Sequence, residues 1–259
     1  MKTKTLQILN LLGFALTILL NTLANALPLN GYTTGALSDR YPNLFVPAGF
    51  TFSIWGIIYL LLLLFVIYQL RDWWQKPRPS MAFVQQIGPW FFVSCLANAS
   101  WILAWHFLQV PLSLVIMLLI LGSLLLIYLR LGIGETTVTN NNERWLVRLP
   151  FSIYLGWITV ATIANVTTVL VDNGWQGGPL SEVAWTAILI ATATLIGLLV
   201  LYRRSDVGYA LVLIWAFYGI YTKQSANTAQ DVQLILTVLL VGMGLLGVGA
   251  LLRVKRWLN

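Results

Sequence analysis

The feature that most constrains this chain is the length of its apolar runs, set against where its acids fall. Stretches such as IWGIIYLLLLLFVIYQL and LSLVIMLLILGSLLLIYL contain no charged residue, and the eight acids (Asp39, Asp72, Glu135, Glu143, Asp172, Glu182, Asp206 and Asp231) all lie outside such runs. A helix needs roughly 20 apolar residues to cross a ~30 Å hydrocarbon core. The fold class that follows is all-α, a polytopic membrane helical bundle. No buried carboxylate is expected. That argues against ion-coupled transporters and pumps, which usually keep an Asp or Glu in the membrane as partner for the moving charge.

Eight spans are predicted, at about 6–27, 47–69, 87–108, 111–130, 149–171, 181–202, 207–222 and 231–252. The seventh is short and rich in Tyr. Only 9% of the residues are charged, against about 25% in a soluble domain, so no soluble domain is expected. The net charge of +7 does not indicate nucleic acid, because the cations sit at span ends. With eight spans, all of the 15 Lys and Arg except Arg40 and Lys223 fall on one side. By the positive-inside rule that side is cytoplasmic, and both termini lie there. Lys2, Lys4, an apolar run and Ala24-Asn25-Ala26 also resemble a secretory signal, but the run is longer than a typical h-region, so a retained first helix is expected. The only cysteine, Cys95, falls mid-span and reads as a packing residue.

Two connections are long. Residues 28–46 contain Tyr32, Leu37, Tyr41, Leu44 and Phe45. These give the segment apolar side chains to bury, so it reads as a lid rather than a solvated linker. Residues 131–148, with Asn140 to Asn142, read as plain loop. In the last span Gly242 and Gly249 share a face that would let helices pack closely.

The chemical inventory is sparse. His106 is the only histidine, which is too little for a zinc site. It reads as an interfacial packing or hydrogen-bonding residue. There is no phosphate loop, no nucleophile–base set and no paired carboxylates, so hydrolysis or metal catalysis by familiar means is not expected. What remains is aromatic and amide. Of the 12 Trp, Trp73, Trp74, Trp90, Trp145, Trp175, Trp185 and Trp257 sit at span ends or in loops, where an interface-anchor role suffices. Trp55, Trp101 and Trp157 lie inside spans.

The neighbours of these three fall on helical faces. Asn98, Trp101 and Trp105 share one face of span three. Tyr154, Trp157, Ala161, Asn165 and Thr168 share one face of span five. Trp55 and Tyr59 are four apart, as are Asn21 and Asn25. At ~1.5 Å per residue, Trp55, Trp101 and Asn165 lie about 9–12 Å below the outer boundary. Amides in lipid turn inward and bond across the bundle. Two readings stay open on pattern alone: an aromatic cavity for a flat, largely apolar ligand, or a packed bundle with amide pairs as glue.

The same residues resemble the TspO/MBR family, the tryptophan-rich sensory proteins related to the peripheral benzodiazepine receptor. The second-helix motif is matched by Pro47, Gly49, Trp55 and Tyr59, the third-helix Asn-x-x-Trp by Asn98 and Trp101, and the fifth-helix motif by Tyr154, Trp157, Ala161, Thr162 and Asn165. Phe50 stands where the family has Trp, Ala48 where it has a second Pro, and Ile153 where its fifth helix has Pro. The resemblance covers about residues 1–172. It implies a five-helix bundle, often dimeric, with a pocket closed by the loop after helix one and binding of porphyrins or other hydrophobic ligands. The expected division is a TspO-like bundle at 1–172 and a three-helix membrane extension at 173–259.

The expected function is thus a multi-pass protein of the cell membrane that binds or senses a porphyrin-like ring. Ligand contacts are expected from Trp55, Asn98, Trp101, Tyr154, Trp157, Ala161 and Asn165. Alternatives are a facilitator or transporter of a small apolar solute, or a light- or oxygen-dependent porphyrin-degrading enzyme. No catalytic residue, metal site or required cofactor is expected, with porphyrin or haem entering only as ligand. The expected partners are the lipid bilayer, a hydrophobic small molecule and a second copy as homodimer, not nucleic acid.

Overall fold

The computed structural model describes residues 1–259 apart from 28, 78, 137–139, 176–177, 229–230 and 259. Its described residues are all-helical or irregular, with no strand among them. Eight long helices organise the chain: α1 (Thr3–Ala26), α2 (Ile54–Gln69), α3 (Trp90–His106), α4 (Val110–Arg130), α5 (Leu149–Asp172), α6 (Glu182–Arg204), α7 (Val207–Ser225) and α8 (Gln233–Leu258). Each corresponds to one predicted span. Six elements are long and apolar enough to cross a membrane: Thr3–Ala26, Gly49–Trp73, Val110–Arg130, Asn141–Asp172, Glu182–Arg204 and Gln233–Leu258. The two long helices outside that set, α3 and α7, are 17 and 19 residues long.

These two are also the interior helices of their neighbourhoods. Side chains from Phe91 to His106 are buried nearly all round α3, and those from Val207 to Gln224 nearly all round α7. A helix shielded from lipid by its neighbours can carry amides, small residues and His without exposing them to hydrocarbon. Central position thus accommodates the amides, small residues and His that α3 and α7 carry.

Contacts group the chain into two compact units: residues 1–34 with 54–155, and residues 35–53 with 156–259. In the first unit α3 packs against α1 and α4, and α2 packs against α1. The α1–α3 seam is close. A Cβ at Gly13 would lie 2.8 Å from the Phe92 ring and 3.1 Å from the Cys95 Cβ. Thr17 Oγ1 donates to the carbonyls of Gly13 and Cys95, at 3.0 Å each. Phe65, Phe91 and Phe151 meet edge-on with centroids 5.0–5.6 Å apart, and Phe83 lies 6.2 Å from Phe65. Near the start of α1 the fully buried Gln7, Asn10 and Gln69 form an amide latch. Gln7 Nε2 donates to the Gln69 carbonyl and to Asp72 Oδ1, Asn10 Nδ2 donates to Gln69 Oε1, and Trp73 Nε1 donates to Gln7 Oε1.

In the second unit α6, α7 and α8 pack on one another. The glycine face predicted for the last span is used. A Cβ at Gly242 would meet Thr194 Oγ1 at 2.7 Å and one at Gly249 would meet Leu201 at 3.0 Å, whereas Gly244 and Gly247 face open space. The segment 35–53 is fastened along α7. Gln224 Nε2 donates to the Leu44 carbonyl, Ala48 N–H to the Gly219 carbonyl and Trp215 Nε1 to the Thr51 carbonyl, each at 3.0 Å.

Two expectations need correction. Asp206 is buried, only 1% exposed. It caps α7 by accepting from Tyr209 N–H at 3.1 Å, directly after Ser205 turns the chain with φ +53°. The two-residue turn leaves the first amides of α7 without intrahelical acceptors, and the carboxylate supplies one. Residues 131–148 are not plain loop throughout. Asn140 caps a helical start by accepting from Asn142 N–H, the helix passes through a π-turn at Arg144–Arg148, and Arg148 donates to the Thr136 carbonyl and hydroxyl.

Candidate functional site

The in-span aromatics and amides of the first unit form a connected network. Asn98, 1% exposed, is its hub. Its Oδ1 accepts from Asn21 Nδ2 at 2.8 Å, and its own Nδ2 donates to the Tyr154 hydroxyl at 2.9 Å. The Tyr154 ring meets Trp55 edge-on at 5.9 Å, and Trp55 stacks on Tyr59 at 5.2 Å and 23°. The Tyr59 hydroxyl, buried beside Asn98, finds no hydrogen bond of good geometry. Three helices and the start of a fourth thus contribute to one cluster, with Asn21 on α1, Trp55 and Tyr59 on α2, Asn98 on α3 and Tyr154 on α5.

Trp101 and Trp105 continue the α3 face as a near-parallel stack, 5.5 Å apart and tilted by 14°. Trp105 Nε1 donates to the Thr34 carbonyl at 3.3 Å, while Thr34 N–H and its hydroxyl donate to Asn25 Oδ1. The second predicted α1 amide therefore anchors the chain that leaves the helix. Asn30 Nδ2 donates to the His106 carbonyl at 3.0 Å. The His106 ring is fully buried, with Nδ1 2.8 Å from the Ile102 carbonyl. That matches a packing and hydrogen-bonding role. Among the described residues no group of His, Cys, Asp and Glu could hold a metal ion.

The remaining predicted residues lie on α5 in the second unit. Trp157 and Asn165 are buried, each 3% exposed, and Ala161 between them is half-buried. Trp157 meets the Phe52 ring edge-on at 6.0 Å. Phe50 contacts Trp215 and Tyr218 edge-on at 5.5 and 5.8 Å. These aromatic contacts hold the stretch that follows the segment expected as a lid, whose own ties to α7 include the Gln224 bond to the Leu44 carbonyl and the Lys223–Asp39 ion pair. Within that segment Asn43 folds the chain, donating to the Tyr41 carbonyl and accepting from Phe45 N–H. Burial, with the Asp172 carboxylate nearby, holds the Tyr41 phenol above its usual range, and Arg40 opposes the shift.

A family model for TSPO-like proteins matches residues 7–252. The chain belongs to the TSPO-like protein family. The match takes in all eight helices of this TSPO-like protein, including those that follow residue 172. No curated protein and no solved structure matches the chain.

Sequence reasoning missed two groups in this TSPO-like fold. The Gln7–Asn10–Gln69 latch was passed over because its residues sit at span ends, where an amide is unremarkable. Trp175 and Trp185, read as interface anchors, instead meet each other edge-on at 5.0 Å beside a cavity. They lie on either side of a Gly-rich turn, and no helical spacing links them.

Proposed function

We propose that this TSPO-like protein binds a flat hydrophobic ring of porphyrin type, holding it by stacking and neutral hydrogen bonds. The observation that carries the reading is the first-unit cluster. Trp55, Tyr59 and Tyr154 group their rings around Asn98, and the buried Tyr59 hydroxyl is left to bond a ligand. Such a mix of apolar faces and a few convergent neutral polar groups suits a largely apolar ring with a polar edge. Trp101 extends the α3 face of the same unit.

Purified protein titrated with a porphyrin should show saturable quenching of Trp fluorescence. Replacing Trp55 or Trp101 with Ala should weaken it by about tenfold or less per ring, in line with about 0.5–1.5 kcal/mol for an aromatic pair. If both variants titrate like the parent, the assignment is wrong. Saturable binding without flux in proteoliposomes favours a sensor, whereas downhill flux of the same ligand favours a facilitator.

The same reading includes eight crossings with both termini cytoplasmic. If α3 and α7 did not cross, Arg130, Arg144, Arg148, Arg203 and Arg204 would move to the outer side. The positive-inside rule disfavours that arrangement.

A further inference from the structure

Beside the turn that precedes α6, the second unit contains two adjoining cavities. One, of about 340 Å³, is lined by Leu170, Val171, Trp175, Trp185 and Thr186, among others. The next, of about 540 Å³, is lined by Asp39, Leu44, Lys223, Gln224 and Asn227. Pro42, Asn43 and Glu182 line both and so form their common wall. One end of the combined space is aromatic and the other is charged.

The polar groups here are unequally committed. Lys223 Nζ is bound to Asp39 Oδ1 at 2.6 Å, so those two charges answer each other. Gln224 is engaged through both ends of its amide, donating to the Leu44 carbonyl and accepting from Asn227. Glu182, in the first turn of α6, is exposed, and among the described residues its carboxylate has no ion-pair or hydrogen-bond partner. The Trp185 Nε1–H is buried without a partner among the described residues. Two acids against one base leave the lining with one negative charge in excess, in a chain whose net charge is +7.

We propose that this space is a second binding site, separate from the ring site and independent of it. Its ligand is an organic monocation with an aromatic or branched apolar body. The ammonium would be drawn to Glu182 and to the faces of Trp175 and Trp185, since a cation over an indole gains attraction from the ring quadrupole. The body would fill the Leu170–Val171 end, and the Trp185 N–H could meet an acceptor on the ligand. Asp39 and Lys223, already paired, set the charged rim, and the Glu182 carboxylate left in excess disfavours an anion.

The test is calorimetric titration of the full chain in nanodiscs, at low ionic strength, with benzyltrimethylammonium as probe. Benzyl alcohol and benzoate serve as neutral and anionic counterparts. The cation should bind best, and raised salt should weaken it. Glu182→Gln should cost about tenfold in affinity for the cation while leaving benzyl alcohol unchanged. Trp185→Leu should weaken both. Since Glu182 is exposed and has no side-chain partner among the described residues, the Glu182→Gln variant should elute and show helical circular dichroism like the parent. Equal affinity for cation and alcohol, an unchanged Glu182→Gln titration, or no cation binding would each overturn the proposal.

Discussion

Asn98 shows what a single amide does in a membrane bundle. It accepts from α1 and donates to α5, so removing it orphans two partners at once. Leaving a buried polar group unsatisfied costs about 1–3 kcal/mol, whereas a hydrogen bond contributes about 1 kcal/mol net. Asn98→Ala should therefore destabilise the fold by more than Tyr154→Phe, which removes only the hydroxyl. Unfolding in mixed micelles measures both, and equal effects would remove Asn98 from its hub position. Asp206 makes a different point at the same scale. A carboxylate lies buried in this molecule, but its role there is to cap α7, which gives no reason to revive ion coupling.

At the scale of the element, α7 and α8 show how a glycine's value depends on what faces it. A Cβ at Gly219 would collide with Thr51 Oγ1 and fall 2.9 Å from its Cβ. Gly219→Ala should cost about 1–3 kcal/mol by overpacking, and Thr51→Gly in the same chain should recover part of it. On α8, Gly242→Ala should destabilise by pressing on Thr194. Gly244→Ala, facing open space, should be neutral or stabilising by up to about 1 kcal/mol, the helix-propensity difference. Thermal unfolding of the four variants separates these outcomes. Identical behaviour of the two α8 variants would contradict the packing described.

For the whole molecule, thiol labelling tests the eight proposed crossings of the bilayer. Cys95, the only cysteine, is buried, and a Cys95→Ala background allows new cysteines to be placed at will. Thiols introduced at Gln75 and Asn142 should label from the same side, because α3 and α4 would together return the chain. Thiols at the exposed Arg203 and at Asn227 should label from opposite sides, because α7 would cross between them. The opposite pattern at either pair would reduce the count of crossings. In intact cells, the Asn227 thiol should react with an impermeant reagent and the Gln75 thiol should not.

The sequence by itself determined the helical membrane class, the eight long helices and the inward amide and aromatic stripes. It could do so because each rests on local repeats: runs long enough for a bilayer, and residues three or four apart on one helical face. Asn21, Asn98 and Tyr154 were legible for that reason, and so was the paired use of Gly242 and Gly249. Tertiary structure alone decided which helices are interior, that the segment after α1 is fastened to α7, and that Trp175 meets Trp185. These depend on partners far apart in the chain. The Trp215 indole meets the Thr51 carbonyl from 164 residues away. No periodicity encodes such a pair; it exists because two backbones come close enough that one residue there must be glycine.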